Sequence, residues 1–221
     1  MNDMNIEKLQ DLQAIANVLH SVLTIYPELD LINTFKDQDI VENWPQLLVT
    51  DTNIKGLTHL KAYLAQWTGD EAELIRLKLD YGMLFYGPGT PFAAPWGSAY
   101  TSSSQLLNDF STVTLKQFYA VNDINIDMRT NEPLDHIGLI FAVLSFLLNK
   151  ATEDPTNPLY QKTINELLEK HLLPWAYRCL ELAYSHAETD YYKAFSILAK
   201  EYLLYLEQTF ELNPKRIAIY R

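Results

Sequence analysis

Apolar residues recur at steps of three and four along nearly the whole chain, and only one stretch interrupts them for long. That spacing writes one apolar stripe on each of a series of α-helices. Ile6, Leu9, Leu12, Ile15, Leu19 and Val22 make the first stripe, which stops near Pro27. Ile54, Leu57, Leu60, Leu64 and Trp67 make another, and Leu74, Leu77, Tyr81, Leu84 and Phe85 carry a third to Gly87. Only seven glycines are present, and three of them, Gly87, Gly89 and Gly97, fall between residues 87 and 102 together with Pro88, Pro91 and Pro95. The rest of the chain is free to be regular.

The punctuation supports the same division. Short helices are expected over Leu29 to Phe35 and over Asp39 to Trp44, before Pro45. Asp70 suits an N-cap, with Glu71 and Glu73 placed to offset the positive end of the next helix. Helical spacing resumes near Ser103 or Ser104 with Leu106, Leu107, Phe110, Val113 and Phe118. Ile124, Ile126 and Met128 alternate within the polar linker Asn122 to Asn131 and allow one extended segment, which is not a sheet. Pro133 suits the first position of a helix running to about Lys150. That helix is apolar on nearly all sides, so it is expected to be surrounded. Asn157-Pro158 opens another helix, which Pro174 should kink or break. A last helix over about Thr189 to Glu211 ends before Pro214 and leaves a small basic tail of Lys215, Arg216 and Arg221. The expectation is an all-α fold of about nine to eleven helices, a single globular domain over 1–221, with one long loop rich in Pro, Gly and aromatic residues.

Composition narrows the function. Lys and Arg number 17 against 28 Asp and Glu, a formal charge of −11. Such a chain repels phosphate backbones and attracts cationic partners, so no nucleic acid is expected. The single cysteine, Cys179, allows no internal disulfide and no cysteine-based zinc site, and it reads as a core thiol in an apolar stripe. The N-terminus lacks the basic-then-apolar order of a signal peptide. The longest apolar run, Ile137 to Leu148, is too short to span a bilayer. These features fit a cytoplasmic protein without stable membrane insertion. No phosphate loop, HExxH or G-x-S-x-G motif is present, the five histidines have no paired metal spacing, and Ser98 is a weak nucleophile signal. Neither catalytic nor metal residues are expected.

Three segments stand out. Tyr81 to Tyr100 is a long aromatic and proline-rich stretch in which Trp96 and Tyr100 can line a groove for an apolar peptide; pinning of the loop to the core is the alternative. Glu132, Asp135 and His136 lie where the most apolar helix begins. They read either as helix capping or as a small acidic cluster at the edge of the core. Adjacent helix residues point about 100° apart, which argues against Asp135 and His136 acting as an acid/base pair on one substrate atom. His171-Leu172-Leu173-Pro174-Trp175 reads as a helix kink with a packed tryptophan.

Taken together, these segments resemble the TorD/DmsD family of molybdoenzyme maturation chaperones, and its DmsD branch most. The family's LFxGP run is matched by Leu84-Phe85-Tyr86-Gly87-Pro88. Its PPWGS-aromatic run is matched by Ala94-Pro95-Trp96-Gly97-Ser98-Ala99-Tyr100, with Ala94 in place of the first proline. Its E-P-x-D-H run is matched by Glu132-Pro133-Leu134-Asp135-His136, and H-x-x-P-W by His171 to Trp175. The resemblance covers about residues 70 to 200. It implies a cytoplasmic, all-helical chaperone, not an enzyme. Its partner would be the twin-arginine signal peptide of a DMSO or trimethylamine N-oxide reductase-type molybdoenzyme, which it holds back from Tat export until cofactor loading and assembly are complete. By that similarity Tyr81, Leu84, Phe85, Pro95, Trp96, Tyr100, Pro133, Asp135 and His136 contact the peptide. Asp135 or Glu132 can pair with an arginine. No cofactor is expected beyond the weak GTP binding associated with the family. Tat translocase components are further candidate partners, and the resemblance admits a monomer or a homodimer. The alternatives are an assembly chaperone of the nitrate-reductase group or a general apolar-peptide binder with a nucleotide-linked switch.

Overall fold

The computed structural model describes residues 5–47, 49–104, 106–126 and 132–221. It is all-α, as the periodicity predicts: ten α-helical segments and two π turns among the described residues, with one isolated bridge between Trp96 and His136 as its extended pairing. The contacts group the chain into two compact units. One comprises Met1–Thr24, Pro95–Ala176 and Leu206–Arg221; the other comprises Ile25–Ala94 and Tyr177–Tyr205.

The first unit is organised around α7 (Ile137–Glu153), which is buried on almost every side, as its composition requires. Helix α1 (Ile6–Thr24) lies along it, burying Leu9, Leu12, Ile15, Leu19 and Val22. Gly138 is needed at this crossing, because a Cβ there would overlap the Thr24 side chain. Polar residues inside the pair are satisfied: Ser145 Oγ donates to Asn17 Oδ1 at 2.7 Å, and the His20 ring meets the Gly138 carbonyl at 2.8 Å. The unit also holds α5 (Ser98–Thr101), α6 (Phe110–Val121) and α8 (Pro158–Glu166). Asn157 caps α8 by accepting from the Leu159 N–H, with Pro158 in the first turn.

The second unit holds α2 (Leu29–Asp37), α3 (Asp51–Gln66), α4 (Glu71–Tyr81) and most of α9 (Leu173–His186) and α10 (Asp190–Thr209). Asp70 is the N-cap of α4, accepting from the Glu73 N–H at 2.8 Å, while the Glu73 carboxylate accepts from Thr68 and Gly69. That reciprocal arrangement is a capping box shifted by the loop. Buried Asp80 ties α4 to the start of α10, accepting from the N–H groups of Glu188 and Thr189. Tyr81, Phe85, Tyr191, Tyr192 and Phe195 pack as a chain of ring contacts.

Several sequence expectations shift. Residues 39–44 form turns instead of a helix, with Asp39 at a φ of 47°. Helix α6 begins at Phe110, not at Ser103 or Ser104, because Asp109 is the residue that caps it. Pro133 is not in the first turn of α7; the helix starts four residues later. Pro174 does not break its helix. The stretch 158–186 is continuous because a π turn, Leu167–Leu172, re-registers the backbone just before the proline. Residues 124–126 have no regular structure, and Met128 and Asn131 lie outside the described residues.

Candidate functional site

The Pro95–Tyr100 segment and the residues preceding α7 are clasped together by backbone hydrogen bonds. Ile137 N–H donates to the Pro95 carbonyl at 2.7 Å, and Gly97 N–H donates to the Asp135 carbonyl at 3.0 Å. The Asp135 side chain completes the clasp, its Oδ2 accepting from the Ser98 N–H at 2.6 Å at the start of α5. Its other oxygen, Oδ1, is enclosed and has no hydrogen-bond partner. An interior carboxyl oxygen without a donor is costly. The aspartate therefore does not cap α7. His136 does, with its Nδ1 accepting from the Gly138 N–H at 3.1 Å. Only a neutral ring can accept there, and burial pushes the His136 pKa down to about 3.

Glycine is required at position 97 by close approach: a Cβ would come within 2.8 Å of the Trp175 ring. Trp175 stacks on Tyr100 with ring centroids 5.6 Å apart, and its Nε1 donates to the His171 carbonyl at 2.7 Å. The His171 and Pro174-Trp175 motif thus supports the clasp from behind. Trp96 turns the other way. It is half-buried, its Nε1 donates to Glu132 Oε2 at 3.1 Å, and its ring meets the His136 ring edge-on.

Exposure sorts the predicted contact residues. Trp96, Glu132 and Pro133 keep surface, whereas Pro95, Tyr100, Asp135 and His136 are buried within this unit. Tyr81, Leu84 and Phe85 are core residues of the other unit, 5%, 0% and 2% exposed. What the sequence reading missed is the opposite face of their helix. Ile75, Leu79, Met83 and Tyr86, at spacings of four, four and three, are 48%, 64%, 44% and 68% exposed. The signal was present in the sequence, since α4 and its π turn (Gly82–Tyr86) carry two apolar stripes where a half-buried helix needs one. The turn ends at Gly87, which has a φ of 89° and where a Cβ would lie 2.7 Å from the Gly89 carbonyl oxygen, so only glycine fits.

A cavity of about 400 Å³ opens beside the clasp in the first unit. Asp135, Gly97, Trp175, His171, Lys170 and Lys215 are among its walls. Burial lowers the His171 pKa to about 4, so that ring is neutral as well. Ser98 Oγ is enclosed without a partner, and Cys179 is buried with its Sγ 3.5 Å from the Ala94 carbonyl oxygen. Among the described residues there is no group of three or more His, Cys, Asp or Glu side chains able to hold a metal, and no helix is long and apolar enough to cross a membrane.

The all-helical fold and its clasp belong to a chain whose residues 50–181 match the model of the nitrate reductase delta subunit family, and the chain belongs to that family. Within it, the relatives are chaperones by name. A probable Tat proofreading chaperone DmsD of Haemophilus influenzae is 23% identical over 96% of this chain and 98% of its own length. The Tat proofreading chaperone DmsD of Salmonella typhimurium is 34% identical over 53% of each chain, so that match spans about half of either protein. The chaperone protein TorD of Aliivibrio salmonicida is 26% identical over 58% of this chain and 60% of its own. The DmsD and TorD names agree with the resemblance carried by the four motifs.

Proposed function

We propose that this protein is a cytoplasmic chaperone that binds the twin-arginine signal peptide of a molybdoenzyme and delays its export until the enzyme is assembled. The observation that carries the reading is the enclosed, unpartnered oxygen of Asp135, in a clasp whose outer surface offers Trp96 and Glu132. A guanidinium supplies the donors such a carboxylate lacks, in a planar fork that matches it. Glu132 is the carboxylate an arginine meets first, because it keeps surface. The apolar part of a signal peptide needs apolar surface, and beside Glu132 the clasp offers the half-buried Trp96 ring and Pro133.

The magnitudes divide the work. An exposed ion pair contributes about 0–1 kcal/mol. Burying roughly 300 Å² of apolar area contributes about 7 kcal/mol before the costs of association. Charge then sets selectivity and encounter rate, helped by the net charge of −11, while apolar burial sets affinity. The test is a calorimetric titration with a twin-arginine leader peptide beside the same peptide carrying glutamine at both arginines. Micromolar or tighter binding that weakens with the change supports the reading. Equal binding of the two peptides makes the protein a general apolar-peptide binder, and binding of neither refutes it.

A further inference from the structure

Segment 213–221 returns across the first unit and forms one wall of the cavity beside Asp135. Lys215, Ile217, Ala218 and Tyr220 line it. The segment has no helix or strand of its own. It is attached near its beginning, where the N–H groups of Asn213 and Lys215 donate to Glu169, at 2.7 Å to the carboxylate and 3.0 Å to the carbonyl. It is attached again near its end, where Tyr220 N–H donates to the Tyr100 carbonyl at 3.0 Å and the Arg221 guanidinium lies 5.9 Å from the centre of the Tyr100 ring. One anchor thus lies in the π turn behind the clasp and the other in the Pro95–Tyr100 segment itself. Between them the order of residues is Lys215-Arg216-Ile217-Ala218-Ile219-Tyr220: two adjacent cations, then an apolar run. That is the chemical order of the peptide assigned to this site above. Its hold is shallow, since Ile219 and Tyr220 remain exposed.

We infer that segment 213–221 is an internal stand-in for the peptide, a strap that closes the Asp135 cavity in the free protein and is displaced by a cationic-then-apolar leader. The inference rests on the signal-peptide reading. A strap that covers the cavity for most of the time lowers apparent affinity by the fraction of molecules left open. With an open fraction of about 0.1–0.3, releasing the strap tightens leader binding about 3- to 10-fold.

The test uses the full chain and two variants that loosen the strap at different places. Tyr220→Pro removes the N–H donated to Tyr100, and Ile217→Ser removes apolar contact with the cavity wall. The leader peptide and its glutamine counterpart are titrated into each, and amide exchange at Lys215 and Tyr220 is followed in the wild-type chain with and without leader. The expected result is leader binding tightened about 3- to 10-fold in both variants, with the Tyr220 amide exchanging faster once leader saturates the wild-type protein. Leader binding that is unchanged or weakened in the variants, with the Tyr220 amide equally protected in the complex, overturns the strap and leaves the peptide site standing. Leader binding to none of the three proteins overturns the signal-peptide reading and the strap with it.

Discussion

Replacing His136 with asparagine separates two jobs that this residue performs. It caps α7 through an acceptor on its ring, and it stays neutral in the interior while its unfolded counterpart titrates near 6.5. Asparagine keeps a capping acceptor and does not titrate. The sign follows from the lowered pKa. Well above pH 6.5 the ring is neutral in both states and contributes no pH dependence. As pH falls from 6.5 towards about 3, the unfolded chain binds a proton that the folded chain refuses, so stability declines. The loss between pH 7 and pH 5 is about 2 kcal/mol from this one group. Urea denaturation of the wild-type protein and of His136→Asn at both pH values measures it. The variant should lose about 2 kcal/mol less than the wild type over that interval. Parallel declines in the two proteins would show that His136 protonates freely in the folded state, and would refute the neutral-cap argument. His171, lowered to about 4 by burial, adds to the slope in the same direction in both proteins and cancels in the comparison.

Other substitutions follow from the same geometry. Gly97→Ala forces a methyl against the Trp175 ring, and the overpacking should destabilise the protein by about 1–3 kcal/mol, read as a fall in the denaturation midpoint. Leu84→Ala empties a wholly buried position and should cost about 2–5 kcal/mol of stability. Leu79→Ser and Tyr86→Ser lie on the exposed stripe and should leave stability within about 0.5 kcal/mol, read by urea denaturation; a drop of several kcal/mol would show that the stripe is covered in the folded protein. Trp96→Ala should weaken leader binding far more than Asp135→Asn does at moderate salt, and comparable losses would end the division between apolar affinity and charged selectivity.

The helices were legible in the sequence because their period is a local property. The stripes of α1, α3 and α7, the Asp70 cap and the Asn157-Pro158 start all depend on neighbours within one or two turns. The failures lie where the backbone answers to something distant. Pro133 carries a sound helix-start signal, yet Leu134 and Asp135 make a turn closed by the His136 N–H on the Pro133 carbonyl, Asp135 and Ile137 are tied by backbone hydrogen bonds to Gly97 and Pro95, and α7 has to wait for His136. Pro174 carries a sound helix-break signal, and a π turn absorbs it. A π turn has no residue-type signature comparable to a cap, so nothing local announces it. The cluster of Glu132, Asp135 and His136 was legible as a set, but its division of roles was not. The roles depend on which donor each side chain meets: Trp96 for Glu132, Ser98 for Asp135 and Gly138 for His136.

Burial changes what the motif residues can be doing. Seven of the ten residues singled out in the sequence are enclosed, and a folded peptide-binding surface cannot be built from side chains that no peptide reaches. Two consequences are open to them. They can set the positions of the groups that are reached, as Tyr100 and Asp135 do by holding Gly97 and Ser98, and through them Trp96. Or they can be uncovered when the clasp opens, in which case the unpartnered Asp135 oxygen is what an arriving guanidinium gains by opening it. The two roles differ in their kinetics. A positioning role leaves association governed by charge steering, steep in salt and fast. An opening role inserts a conformational step, so the association rate approaches a plateau as leader concentration rises, and Asp135→Asn, which alters the clasp itself, moves that plateau. Stopped-flow measurement of leader association, followed through Trp96 and Trp175 fluorescence, distinguishes them: a rate linear in leader concentration assigns the buried residues to positioning, and a saturating rate assigns them to the opened site.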